Sequence, residues 1–243
     1  MDPRPEIIAR RLAKIKTIIA VAGGKGGVGK STVATILALI LREQFHRVGL
    51  LDLDFYGPSA HVILWIPGGA QPREEKGIIP PEVHGLQFMS LVYYSGGRPS
   101  PLRGPDVSNA FIELLAITRW DDLDFLIVDM PPGLGDTTLD AIRWLTKARF
   151  LVVSTPSRVS LETVKKLLAL LTELGAPIIG IIENMRRDGD PLSQDHLGAF
   201  KVPLLGGLPF DPELERSLGN PGQLMGTALA QALNRIVLEA KIE

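Results

Sequence analysis

The chain has 243 residues, 45% of them hydrophobic and 22% charged, with a mean hydropathy of +0.18. Such a chain can bury a full apolar core, and a disordered polypeptide is excluded. Lysine and arginine number 26 against 27 acidic residues, which argues against a broad nucleic-acid-binding face, and the absence of cysteine removes disulfides, thiolate metal sites and a cysteine nucleophile.

The opening residues, 1–15, carry two prolines and several charges and lack the apolar stretch of a secretion signal. They read as an N-terminal extension of a cytoplasmic protein. Residues 17–22 are a short apolar run ending in glycines, the pattern of a buried strand. A helix is predicted over 31–44. Its most apolar part, 32–41, is far short of the roughly 20 residues that span a bilayer, so no membrane partner is expected. Strands follow at 47–53, 86–92, 124–129, 149–154, 177–183 and 202–208. Helices are predicted over 107–117, 137–146, 160–174 and 226–240, the third with Ser160 as N-cap and Gly175 as its stop.

The strands are apolar throughout instead of alternating, which marks burial on both faces. Interleaved with helices, they predict the α/β class: a doubly wound, mainly parallel sheet with helices on both faces, in one domain over 1–243. Ligands of such sheets bind at the carboxyl ends of the strands, which places the chemistry just after Ala22, Leu51, Val128 and Ile182. Two stretches interrupt the pattern. Residues 57–105 form a loop-rich insertion dense in proline and glycine, and 186–201 form a polar loop.

The run Gly24-Lys25-Gly26-Gly27-Val28-Gly29-Lys30-Ser31 fits G-x-x-x-x-G-K-[ST] between a predicted strand and a predicted helix. Glycines let the backbone curl so that successive N–H groups face inward as an anion nest. The helix N-terminus adds its positive dipole end. Lys30 can reach the β- and γ-phosphates, the Ser31 hydroxyl suits Mg²⁺, and Thr32 can touch the α-phosphate. Lys25 puts a second cation where the γ-phosphate sits. A nucleoside triphosphate with Mg²⁺ is the expected ligand.

Asp129 ends the strand Phe125-Leu-Ile-Val-Asp129, where a carboxylate can hold Mg²⁺ through water. Met130-Pro-Pro-Gly133 follows, and the Gly133 amide is placed to sense a γ-phosphate. Asp52 and Asp54 flank Leu53 at another strand end. One can assist the metal and the other orient the attacking water.

Gly23-Gly-Lys-Gly-Gly-Val-Gly-Lys-Ser-Thr32 resembles the deviant Walker A box of the MinD/ParA-type P-loop ATPases. Within that group the boxes Asp52-Leu-Asp-Phe-Tyr-Gly-Pro-Ser59, Leu102-Arg-Gly-Pro105, Asp124 to Asp136, Glu183-Asn-Met185 and Gly207-Leu-Pro-Phe-Asp211 are similar to those of the Mrp family. The resemblance implies a MinD-like P-loop fold, slow ATP hydrolysis, and a homodimer in which Lys25 contacts phosphates bound by the opposite subunit. It implies Asp54 as the water-orienting residue, Asp52 as a metal-side helper with Ser31 and Asp129, Asn184 against adenine, and backbone near Pro209 walling the base. It also implies carriage of an iron–sulfur cluster to apoproteins. The family holds that cluster with a C-x-x-C pair after the E-N-M box, and no cysteine is present here. Asp188, Asp190, Asp195 and His196 are hard or borderline ligands and poor substitutes for thiolates. Two courses stay open: a role in cluster maturation with a cysteine-bearing partner or an iron–sulfur apoprotein, or a chain that has left that job.

Two other readings share the loop. A small-molecule kinase would need an acceptor pocket, for which 57–105 is the candidate, and Lys25 argues against it. A MinD- or ParA-like positioning protein would dock on membrane or DNA. The apolar stripe Leu229, Leu233, Ile236 and Val237 has few cations beside it and is expected to dock on the protein's own core.

Overall fold

The computed structural model describes residues 2–66, 70–95, 105–187 and 200–242. Its centre is a sheet of β1 (Thr17–Gly23), β2 (Val48–Asp52), β6 (Leu86–Ser90), β7 (Phe125–Asp129), β8 (Ala148–Ser154), β9 (Ile178–Arg186) and β10 (Leu204–Pro209), all parallel, with the two-residue β5 (Glu82–Val83) antiparallel at one edge. The order is β10-β9-β8-β1-β7-β2-β6-β5, so β1 lies at the centre and the strand order reverses around it.

Each central strand sorts its side chains by turns to the two faces. Ile18, Ala20 and Ala22 of β1 join one core, and Ile19 and Val21 join the other. The first face is covered by α1 (Arg4–Leu12), α5 (Pro105–Ile117), α6 (Asp136–Trp144) and α7 (Arg158–Glu173). The second is covered by α2 (Lys30–Glu43), α3 (Ala60–Leu64), α8 (Leu214–Ser217), α9 (Pro221–Met225) and α10 (Ala228–Glu239). Two-sided burial explains why the strands read as unbroken apolar runs.

The insertion at 57–105 is less loop-like than its proline and glycine content predicts. Its described part holds α3, the hairpin β3 (Arg73–Glu74) and β4 (Ile78–Ile79), β5, β6 and α4 (Val92–Ser95). Residues 1–15 are likewise not a bare extension. They contain α1, whose Ile8 and Leu12 are buried, one turn apart, against the first core. Ser160 is not the N-cap of α7. That helix starts at Arg158 after Ser157, and Ser160 is buried, its Oγ accepting the Thr155 N–H at 3.2 Å. Gly175 does follow the helix end, at φ +65°.

The stripe Leu229, Leu233, Ile236 and Val237 is buried in the second core, so α10 docks on its own domain. Trp65 and Tyr94 are exposed, whereas Tyr93 is half-buried with its ring 5.8 Å from that of Phe88. Among the described residues no helix is long and apolar enough to cross a membrane.

Candidate functional site

β1 ends at Gly23 and α2 begins at Lys30, with the glycine-rich turn between them at the carboxyl end of the sheet. Gly27 and Gly29 sit at φ +76° and +83°, where a side chain is strained. Gly24 is required for a different reason. A Cβ there would lie 2.5 Å from the carbonyl carbon of Thr163 on α7. At Gly29 it would meet Asn184 Nδ2 at 2.2 Å.

Among the described residues, none of the N–H groups from Lys25 to Gly29 donates to a protein acceptor. The first amides of α2 have no intrahelical partner either, by the geometry of a helix start. A concave row of free donors at a dipole's positive end is an anion receptor.

Lys30 is buried, and its ammonium lies 2.5 Å from Oδ1 of Asp129 and 3.4 Å from Ser31 Oγ. Asp129 ends β7 in register with Asp52 at the end of β2. Asp129 Oδ2 is buried with no hydrogen-bond partner. Burial pushes the Asp129 carboxyl above the usual carboxylate range, and the Lys30 ammonium pulls against that shift. Burial, and then the neighbouring Asp129 charge, push Asp52 up to about 7. Two carboxylates and one ammonium at one buried spot leave a negative excess that suits a divalent cation.

Asp52 is also the anchor of the loop that follows it. Oδ1 accepts the Asp54 N–H at 3.0 Å, and Oδ2 accepts those of Ser59 and Ala60, each at 3.2 Å. Asp54 is half-buried and uses one oxygen on its own turn, accepting the Tyr56 and Gly57 N–H groups at 3.2 and 2.9 Å. Lys25 is half-buried and forms no ion pair or hydrogen bond with a described residue.

Gly133 stands beside the loop at φ +80°, and its N–H donates to the Gly23 carbonyl at 3.3 Å. Asn184 is buried under the loop. Its Nδ2 donates to the Val28 carbonyl at 2.9 Å, and its Oδ1 is buried without a partner. Pro209 ends β10 opposite Arg186, and the next residue, Phe210, is exposed with the Arg187 guanidinium 5.3 Å from its ring centre. Asp188, Asp190, Asp195, His196 and residues 102–104 lie outside the described residues.

The chain thus gathers Lys25, Lys30, Ser31, Thr32, Asp52, Asp54, Asp129, Gly133, Asn184 and Pro209 around the ends of β1, β2, β7, β9 and β10. Thr163 was not legible as part of the site. It touches the loop through its backbone, and no local pattern marks such a contact.

A family model described as the NUBPL iron-transfer P-loop NTPase, of the ParA group, matches residues 14–239. The chain belongs to this family. A relative in Pseudomonas fragi, named iron-sulfur cluster carrier protein, is 43% identical over 177 residues, covering 72% of this chain and 62% of that protein. The chain thus spans about three-fifths of the length of such bacterial relatives. A Drosophila grimshawi relative named cytosolic Fe-S cluster assembly factor Nubp2 homolog is 35% identical over 250 residues, covering 93% of this chain and 95% of that one. A nucleotide-binding protein from Archaeoglobus fulgidus, solved in complex with ADP, matches with a TM-score of 0.74 at 28% identity, over 90% of this chain and 92% of its own. Membership of a NUBPL-type P-loop NTPase family accords with the Mrp resemblance read from the boxes, and with the parallel sheet that carries them.

Proposed function

We propose that this chain is a magnesium-dependent ATPase, one P-loop domain over 1–243, that works as a nucleotide-switched homodimer in iron–sulfur cluster assembly. The observation that carries the reading is the buried Lys30–Asp129 pair, set beneath a row of free backbone donors. A lysine held by a carboxylate at that spot is a cation kept ready for a stronger anion. Phosphate oxygens arriving at the amides of 24–29 would take Lys30 over from Asp129.

The residues present fit Mg²⁺. Ser31 offers a hydroxyl, Asp129 offers its unpartnered Oδ2, and Asp52 adds a second buried carboxylate. When bound, the ion would offset charge on the β- and γ-phosphate oxygens. The protein's own part is to hold the triphosphate with the amides of Gly24 to Ser31 and the Thr32 hydroxyl, to exclude water with the buried floor, and to orient the attacking water with Asp54. Gly133 would sense the γ-phosphate by releasing the Gly23 carbonyl. The buried Asn184 Oδ1 is an acceptor suited to an exocyclic amino group, and Pro209 would wall the base. Lys25, with no partner among the described residues, would reach phosphates bound by a second subunit.

An iron–sulfur cluster is a different matter. It requires soft thiolate ligands, and these residues supply none. Relatives named for cluster carriage support a role in that process, with the cluster held by a cysteine-bearing partner or handed to an apoprotein. A cytosolic setting is supported by the name of the Drosophila relative. The test is ATP turnover and light scattering of wild type and Lys25→Ala. The variant should keep nucleotide affinity within about threefold, a difference under ~1 kcal/mol, and lose most hydrolysis. Wild-type turnover in Lys25→Ala, or ATP-independent monomers throughout, would refute the switch.

A further inference from the structure

At the other end of the sheet from the phosphate loop lies a cleft of about 370 Å³ that the proposed function does not use. It opens beside the amino ends of the central strands, where Arg47 precedes β2 and Asp121 and Asp122 precede β7. A strand of five residues rises roughly 16 Å, so the two sites are separated by the thickness of the sheet's long dimension.

Five cations line it: Arg10, Arg11 and Lys14 from α1 and the turn after it, Arg47, and Arg119. The only carboxylates in the lining are Asp121 and Asp122. Two of the guanidiniums are fixed in place by carbonyls, and one of them, Arg11, has no carboxylate paired with it among the described residues. Arg11 donates to the Ala116 carbonyl at 3.2 Å and to that of Lys76 at 3.0 Å, and Arg119 donates to the Glu75 carbonyl. Gly77 permits this clamp. It sits at φ +130°, and a Cβ there would come within 2.8 Å of the Arg11 guanidinium and 2.9 Å of Arg119 Cγ.

The acids nearby are committed. Asp122 faces Lys14 at 3.4 Å, Asp121 accepts from Gln87 Nε2 at 2.5 Å, and Asp124, just outside, pairs with Lys16 and Arg47. The Glu75 carboxylate lies 3.8 Å from Arg119. Arg10 has no ion pair or hydrogen bond to its side chain among the described residues. Partial burial, then the positive charges of Arg119 and Arg10, pull Arg11 below its usual range. Trp120 lines the same cleft with a ring that is 6% exposed and packs its benzo edge towards Gly49. Crowded cations, two of them on carbonyl mounts and Arg10 without an acid of its own, form a receptor for a dense oxyanion.

We propose that this cleft is a second anion site, separate from the nucleotide site, that takes a compact small molecule through a phosphate or pyrophosphate group. The probe is inorganic pyrophosphate, titrated calorimetrically into the full chain already saturated with ADP and Mg²⁺. Wild type is compared with Arg10→Glu/Lys14→Glu and with the milder Arg10→Gln/Lys14→Gln. Both altered positions are exposed and lie outside the phosphate loop, so residual binding at that loop is common to all three proteins. Wild type should show a salt-sensitive binding event that weakens at least about tenfold in the Glu variant and by a smaller factor in the Gln variant. An unchanged melting temperature without pyrophosphate confirms that the variants are folded. Should one of them unfold, Arg10→Gln alone carries the comparison. Equal pyrophosphate affinity in wild type and variants, or no binding event in wild type, overturns the proposal while leaving the nucleotide reading untouched.

Discussion

Replacing Lys30 by methionine should separate the structural from the chemical role of the buried pair. The change keeps the length of the side chain and removes its charge. Asp129 and Asp52 would then stand in register, both buried, with no cation between them. Breaking a buried ion pair on one side typically costs about 3–5 kcal/mol. Proton uptake gives part of this back. Asp52 already titrates at about 7, and each unit of further shift recovers ~1.4 kcal/mol. The net loss expected at neutral pH is about 2–4 kcal/mol, read as a lower urea midpoint. The sign of the pH dependence follows from the raised folded pKa. A carboxyl that holds its proton more tightly in the folded state favours folding at low pH and loses that advantage as pH rises. Asp52 keeps its proton below about pH 7 with or without Lys30, so the Lys30→Met deficit should open near pH 7 and widen towards about pH 9, where wild type ionises and the variant still holds its proton. Lys30→Met/Asp129→Asn should regain at least ~2 kcal/mol, because both charges are gone, yet bind nucleotide no better than the single variant. The reasoning fails if Lys30→Met matches wild type within ~0.5 kcal/mol across that range, or if the double variant regains nothing.

Gly24→Ala should lower stability by about 1–3 kcal/mol and weaken nucleotide binding, because its methyl meets backbone atoms of Thr163. Adding Thr163→Ala removes the hydroxyl and the γ-methyl but leaves those backbone atoms, and should not rescue it; rescue in a thermal melt would contradict the packing account. Lys16 first, and then Arg47, hold the Asp124 carboxyl well below the usual range, so its contribution is present above the unfolded carboxylate pKa and is lost as pH falls through the folded one. Both partners are largely exposed, so solvent screening limits the loss in Asp124→Asn to about 1 kcal/mol at pH 7, shrinking towards zero below about pH 2. Ile8→Ala should cost about 2–4 kcal/mol if α1 is part of the core, and under ~0.5 if residues 1–15 are only an extension.

The sheet was legible because its strands are apolar on both faces and its helices carry one apolar stripe. The phosphate loop was legible from its spaced glycines, of which Gly27 and Gly29 serve a local backbone need and Gly24 a close approach by α7. Legibility fell where a contact is tertiary. Ser160 has the chemistry of an N-cap, but the chain instead buries it against Thr155 at the end of β8. Asn184 was placed against a base by resemblance, while in the structure its amide first holds the Val28 carbonyl and closes on Gly29. The Gly133 amide was assigned to phosphate, and here it serves the Gly23 carbonyl. The α1 helix is rich in charge and anchored by a few apolar residues, Ile8 and Leu12 chief among them, too thin a stripe to stand out beside two prolines. Arg10 and Arg11 of this helix and Lys14 just after it, unremarkable in sequence, gain meaning only when folding sets them beside Arg47 and Arg119.

The central claim is that free amides and two lysines grip a nucleotide's phosphates at the mouth of the sheet. Isothermal titration of ADP with Mg²⁺ into wild type and Lys30→Ala addresses it most directly. Saturable binding at one site per chain in wild type, weakened about a hundredfold or more in the variant, a difference near 2.7 kcal/mol, is the predicted result. Absence of binding in wild type, or equal affinity in the two proteins, would contradict it.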